Sequence, residues 1–87
     1  MPGVSRKTTD TAGGTITGGS STVLVNGQGV VRLGDTVQSH GIGAHAGATM
    51  TGASGTVKVN SIRVVRAGDA ASCGHTATGS SNVLAGG

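Results

Sequence analysis

The 87-residue chain contains no aromatic residue, no glutamate, one proline and one cysteine. Aromatic side chains bury the most area per residue, so a hydrophobic core is expected to be too small to hold the fold alone. The single cysteine, Cys73, excludes an internal disulfide. No apolar run reaches the roughly 18 residues that span a bilayer, and no secretory signal opens the chain. We therefore expect a single domain over residues 1–87 that is stabilised by some other means.

Glycine is abundant instead, with 18 residues, and serine and threonine supply much of the remainder. The glycines follow no three-residue period and proline is nearly absent, which excludes collagen. A net charge of only +3, together with recurring valine and threonine, argues against disorder. The basic residues are scattered and no aromatic side chain is present to stack a base, so no nucleic-acid partner is expected.

A twelve-residue pattern recurs along the chain. Residues 15–26 read TITGGSSTVLVN, residues 49–60 read TMTGASGTVKVN, and a shorter third copy at 76–86 reads TATGSSNVLAG. A sequence pattern that recurs in this way indicates that one structural unit is used several times along the chain. The chain is therefore predicted to contain three related cycles.

A second pattern links these copies. It reads VVRLGD at 30–35, VVRAGD at 64–69 and, in a degenerate form, VSRKTTD at 4–10. Each cycle then runs from an aspartate through a loop to Thr-x-Thr-Gly and a Val-x-Val strand. The middle loop is longer than the other two by an inserted segment at residues 39–46.

Within each cycle the pattern predicts short β-strands. Valines alternate with other residues at 22–25 and 56–59, the period of a strand with one buried face. The pair Asn26-Gly27 favours a type I′ hairpin turn. The repeated Gly-Asp pairs indicate further turns, and no stretch has a helical stripe. The predicted fold class is all-β, a small domain of short strands and hairpins in three related repeats.

Two arginines stand at a fixed distance from the aspartates of the second pattern. Arg32 precedes Asp35 by three positions, and Arg66 precedes Asp69 by three. This spacing favours local ion pairs within the turns. We therefore assign these four residues a structural role in the turns and expect no catalytic role for the aspartates.

The residues that commonly bind transition metals fall in two loops. His40 and His45 lie in the inserted loop, and Cys73 and His75 lie in the loop of the third cycle. Counted from the Gly-Asp turns, Ser39 aligns with Cys73, so both pairs are expected at the same end of the molecule if the cycles are related by rotation. Three imidazoles and a thiolate form a complete tetrahedral zinc shell. The alternative interpretation is that the histidines are solvated and the cysteine is a small core residue.

A catalytic role for such a zinc ion is not expected. Catalytic zinc usually has three protein ligands and keeps an open position for water, whereas four ligands are present here. The chain is therefore predicted not to be an enzyme and to have no small-molecule substrate. A small zinc-dependent hydrolase and a free-standing β-rich scaffold or adhesin fragment are the alternative functions.

The whole pattern consists of Thr-Gly-x-Ser-x-Thr-Val-x-Val-Asn, an arginine, Gly-Asp and a loop that contains histidine or cysteine. This pattern resembles the PAAR-repeat proteins. The resemblance extends over nearly the whole chain and recurs within it. The Pro-Ala-Ala-Arg of the family name is GVVR at 29–32 and RVVR at 63–66, so only the arginine is kept. The first loop, DTAGG at 10–14, has no metal ligand.

This resemblance implies a small cone that caps the trimeric β-helical, VgrG-like spike of a contractile injection machine. The machine would be a type VI secretion system, a phage tail or a related particle, with one chain per spike trimer. One structural zinc ion would lie near the vertex, held by His40, His45, Cys73 and His75. The protein would be made in the cytoplasm, exported by the machine and brought into transient contact with a target membrane. No effector domain is expected after Gly87.

Overall fold

The all-β prediction is confirmed by a computed structural model, which describes residues 2–39, 41, 43, 46–80 and 83–85. These residues form antiparallel pairs of two-residue strands and contain no α-helix. Isolated bridges between more distant segments supply the remaining strand contacts. The pairs are β1 (Thr11–Ala12) with β2 (Gly14–Thr15), β3 (Leu24–Val25) with β4 (Gln28–Gly29), and β5 (Lys58–Val59) with β6 (Ile62–Arg63).

The hairpins β3–β4 and β5–β6 turn on equivalent two-residue loops. Asn26 and Gly27 have φ angles of 53° and 81°, both positive as a type I′ turn requires. Asn60 and Ser61 adopt the same conformation, with φ angles of 53° and 65°. Ser61 thus stands where the first hairpin has glycine, in a left-handed conformation that strains a side chain with a Cβ.

Replacing Ser61 with glycine is expected to raise the free energy of unfolding by about 0.5–1 kcal/mol. Relief of the left-handed strain contributes about 1–2 kcal/mol, and the greater freedom of glycine in the unfolded chain offsets about 0.4–1 kcal/mol of it. Urea unfolding followed by circular dichroism measures the change. The matched control is Gly27→Ser, which introduces the same left-handed strain and should lower the free energy of unfolding by a similar amount. A collision does not contribute, because nothing lies within 4 Å of a Cβ at that position. Equal unfolding midpoints for wild type and both variants would contradict this account.

Three backbone segments are joined in a closed ring of hydrogen bonds, here called the central ring. The amide of Ser5 donates to the carbonyl of Val65 (3.0 Å), Val65 donates to Val31 (2.9 Å), and Val31 donates to Ser5 (3.1 Å). Every segment therefore donates to one neighbour and accepts from the other, which satisfies buried backbone groups without a long sheet. Flanking bridges follow the same order: Arg6 with Val30, Arg32 with Val64, and Arg66 with Val4.

The central ring separates two hydrophobic clusters. Consecutive residues of an extended segment point in opposite directions, so Val31 and Val65 enter one cluster while Val30 and Val64 enter the other. Both clusters are built from aliphatic side chains. The larger cluster consists of Ala12, Ile16, Val31, Val37, Ala48, Met50, Val65, Ala71 and Ala77. The smaller cluster consists of Val4, Val25, Val30, Val64 and Ala85.

A third hairpin-like pairing joins the first and last described segments. The amide of Val4 donates to the carbonyl of Val83 (2.8 Å), and the amide of Ala85 donates to Pro2 (2.9 Å). Gly3 permits this contact, because a Cβ there would collide with the backbone of Ser80. The equivalent bonds of the continuous hairpins run from Val30 to Val23 (3.0 Å) and from Val64 to Val57 (2.9 Å).

Candidate functional site

The ends of the loops that carry the predicted metal ligands adjoin the larger cluster, whereas the hairpins β3–β4 and β5–β6 adjoin the smaller one. Val37 and Ala48 of the larger cluster bracket the inserted loop, and Ala71 of the same cluster begins the loop of the third cycle. Val25 and Val59 pack in the smaller cluster from β3 and β5. The described ends of these loops and the hairpins β3–β4 and β5–β6 therefore lie on different sides of the central ring.

Cys73 and His75 lie in a short loop at residues 71–76, here called the third loop. The amide of Ala71 donates to the carbonyl of His75 (2.8 Å), and Gly74 between the two ligand residues has a φ of 91°, which glycine adopts readily. Cys73 is half-buried against the larger cluster, with its Sγ 3.9 Å from the carbonyl oxygen of Ala12. His75 is exposed. The third loop thus brings a thiol and an imidazole to the surface beside the larger cluster.

The neck of the inserted loop is closed by two hydrogen bonds. The amide of Val37 donates to the carbonyl of Ala48 (2.8 Å), and the amide of Gly47 donates to the Oγ of Ser39 (3.1 Å). Hydrogen bonds across the neck of an insertion fix where it leaves the fold. The described ends of the inserted loop therefore leave the larger-cluster side at a defined place.

A further contact ties this neck to the third loop. The amide of Thr49 donates to the Oγ of Ser72 (3.1 Å), directly before Cys73 in the chain. The two loops predicted to share a metal ion are thus adjacent at their bases. His40 and His45 lie outside the described residues, so their distance from Cys73 stays a prediction.

The donor chemistry of the described part of the site suits zinc. A cysteine thiolate and a histidine imidazole are ligand types that Zn²⁺ prefers. Within residues 2–39, 41, 43, 46–80 and 83–85, however, no three histidine, cysteine or acidic side chains gather as a ligand group. The described residues therefore supply two candidate ligands, and the four-ligand shell remains a prediction.

The aspartates of the repeated turns accept hydrogen bonds from arginines of the same turns. Asp35 accepts from the backbone amide of Arg32 (2.7 Å) and lies 3.4 Å from its Nε. Asp69 accepts from the amide of Arg66 (2.8 Å) and lies 3.1 Å from its Nε. Each of these two ion pairs lies within its own turn.

A third pair, Arg6 with Asp10, has the most buried carboxylate of the three, and no site role was predicted for it. Asp10 is only 3% exposed and accepts hydrogen bonds from the amide and Nε of Arg6, both at 2.8 Å, and from the hydroxyl of Thr78 at 2.8 Å. Burial by itself would raise the pKa of Asp10, but the bonds from Arg6 and Thr78 and the arginine charge outweigh it and lower the pKa below its usual value. The degenerate copy of the turn at 4–10 contained the signal for this pair.

The hairpin side of the molecule carries an exposed apolar surface that sequence reasoning missed. Leu24 and Leu84 are 58% and 46% exposed, and Val23, Val57 and Ile62 are each more than one third exposed. Large exposed apolar side chains are candidate contacts for a partner. We call this region the hairpin surface, formed by Val23, Leu24, Val57, Lys58, Ile62, Arg63 and Leu84.

Comparison with family models finds none that matches the chain, and a search of curated proteins finds no match either. Among the described residues, no helix is long and apolar enough to cross a membrane. The function is therefore inferred from the residues and contacts of the chain itself.

Proposed function

We propose that this chain is the tip of a trimeric β-helical spike in a contractile injection machine, with one chain per spike trimer. The central ring carries the proposal, because it arranges three similar segments of one chain, at Ser5, Val31 and Val65, around a common centre. A trimeric spike ends in a face with three equivalent edges. A single chain can match that face only if it presents three similar surfaces. The dimensions of 32 × 23 × 23 Å, with two equal short axes, suit a body built around such an axis.

Recurring side-chain contacts support the same pseudo-threefold arrangement. Ser20, Ser54 and Ser80 are all buried, and each hydroxyl accepts a hydrogen bond from the amide three positions ahead, at 2.9, 3.0 and 3.1 Å. The three arginine–aspartate pairs recur in the same order along the chain. Similar contacts in three places favour a cone with three related sides over an asymmetric domain.

The two sides of the central ring suit the two ends of such a tip. The hairpin surface exposes apolar side chains and is the face proposed to dock on the spike. The ligand loops on the larger-cluster side are proposed as the apex, where one zinc ion would be held by His40, His45, Cys73 and His75. A zinc ion there would crosslink loops that are distant in sequence and stiffen the apex against unfolding under load.

The test is a binding experiment with a trimeric β-helical spike protein from the same organism. Native mass spectrometry of the mixture is expected to show one chain per spike trimer. Leu24→Glu, at an exposed apolar position, should weaken binding at least tenfold, about 1.4 kcal/mol. Gln38→Glu is the matched control at an exposed position on the other side of the ring, and it should bind like wild type.

Two outcomes would contradict the proposal. A complex of three chains per trimer would show that each chain uses one surface and that the internal repeats do not match the spike. Self-association of the isolated chain, combined with no binding to any spike, would instead favour the scaffold or adhesin function. The exposed apolar side chains of the hairpin surface are the observation that favours this second function.

A further inference from the structure

Two of the three basic residues outside the arginine–aspartate pairs lie on one hairpin. The chain has three acidic side chains, all aspartates, and each is paired with an arginine of its own turn. The formal charge of +3 therefore resides on the remaining basic residues, Lys7, Lys58 and Arg63. Lys58 and Arg63 are direct cross-strand partners in β5–β6, and both are exposed.

Two like charges directly opposite each other across an antiparallel pair destabilise the hairpin. No acidic side chain remains in the chain to offset this repulsion, because all three aspartates are already paired. The equivalent positions of the other pairings carry no charge: Leu24 faces Gly29, and Leu84 faces Gly3. The repulsion is therefore a local feature of one hairpin and not a requirement of the repeat.

The positions equivalent to this cation pair in the other two pairings are apolar. Leu24 opposite Gly29 and Leu84 opposite Gly3 are 58% and 46% exposed, whereas Val57 and Ile62 lie on the other face of β5–β6. The neighbouring hairpin is held close, because the side chain of Asn60 in the β5–β6 turn bonds to the hydroxyls of Ser20 (2.8 Å) and Thr22 (3.2 Å). A cation pair within an exposed apolar surface is complementary to an apolar partner face that bears a carboxylate at that point.

We infer that the spike face which covers the hairpin surface carries carboxylates at its rim, one of which lies against Lys58 and Arg63. This inference rests on the proposed function for the identity of the partner. A carboxylate between the two cations would replace their repulsion by charge-assisted hydrogen bonds. Because the spike is a homotrimer, it carries the same carboxylate three times. Only one copy can lie against Lys58 and Arg63, so the copies that face Leu24 and Leu84 must stay solvated at the rim of the interface. Rim charges act mainly on the association rate and its salt dependence.

The test compares association rates of the full chain with the spike trimer at low and high sodium chloride. Lys58→Glu and Arg63→Glu are each expected to slow association about tenfold at 20 mM salt and to approach the wild-type rate at 500 mM, where charges are screened. Lys7→Glu is the matched control. It makes the same change in net charge at an exposed residue outside the hairpin surface, so its rate should stay within about twofold of wild type.

A second measurement separates weak binding from misfolding. Lys58→Glu places opposite charges across β5–β6, so the melting temperature of the isolated chain should rise by about 1–5 °C. An unchanged or lower melting temperature would overturn the premise of an unrelieved repulsion. If Lys58→Glu associates as fast as Lys7→Glu, the inference about the carboxylate fails while the spike-tip proposal stands. If the wild-type chain binds no spike at all, both fail.

Discussion

Removing the proposed zinc ion from the purified protein is expected to lower its melting temperature by roughly 15–30 °C. A ligand that binds only the folded state stabilises it by about 4 kcal/mol when present at a thousandfold excess over its Kd. One kcal/mol shifts the melting temperature of a domain of this size by about 4–8 °C. Melting curves with and without a chelator measure the shift, and metal analysis should find about one zinc ion per chain.

The large expected effect follows from the core. Both clusters contain only aliphatic side chains, and several of these are alanines that bury little area. A small domain with such a core has few other sources of stability, since it also lacks a disulfide. A zinc crosslink between the inserted loop and the third loop would add to the hydrogen bonds that join these segments at their bases.

Cys73→Ser tests the ligand set directly. This variant should melt like the chelated wild type and should show no further response to a chelator. Ser72→Ala is the control, because it removes the hydroxyl that accepts from Thr49 and keeps the thiol. It should cost about 1 kcal/mol and retain the full chelator response. Zinc-free wild-type protein would refute the site, and an unchanged melting temperature for Cys73→Ser would remove that residue from the shell.

The Asp10→Asn variant is expected to lose about 2–4 kcal/mol of folding free energy at pH 7. Asp10 is almost fully buried, and the substitution leaves the guanidinium of Arg6 without its counter-charge. Breaking a buried ion pair costs about 3–5 kcal/mol, and we expect about 1 kcal/mol less here because the Arg6 side chain is 22% exposed. Asp35→Asn is the matched control, with a longer contact of 3.4 Å to Arg32, and should cost about 1 kcal/mol.

The pH dependence of this loss gives a second check. Because the folded state lowers the pKa of Asp10, its carboxylate adds stability above the pKa of the unfolded chain. That contribution disappears as the pH falls through the lowered pKa of the folded state. The difference between wild type and Asp10→Asn should therefore be full at pH 7 and shrink below about pH 4. Urea unfolding at a series of pH values measures it, and an equal difference at pH 7 and pH 3 would contradict the role of the charge.

Local features of the fold could be predicted from the sequence. The pair Asn26-Gly27 predicted a type I′ turn at its own position. Such a turn needs positive φ angles at two successive residues, and this pair adopts them readily. The spacing of Arg32 and Asp35 predicted a contact that needs only one turn of chain. The Asn60-Ser61 turn was harder to recognise, since serine lacks the conformational freedom of glycine that signals such a turn.

The candidate sites were predictable only in part, for a related reason. The sequence places Cys73 and His75 in one loop, and the described structure confirms that they share it, because two positions cannot separate far. The hairpin surface could not be found in this way. The exposure of Leu24 and Leu84 depends on what packs against them, and period-two patterns do not say which face of a two-residue strand is covered.

By itself, the amino-acid sequence determined an all-β chain of short strands, the positions of its turns and the recurrence of its cycles, because these depend on neighbouring residues. Only the tertiary structure decided that Ser5, Val31 and Val65 close a ring and that Val4 completes a pairing with Val83. It also decided that Asp10 is buried beneath Thr78. These contacts join segments up to 79 positions apart, and a backbone hydrogen bond has the same chemistry wherever its partner lies in the chain. The choice of partner is made by the packing of the whole domain.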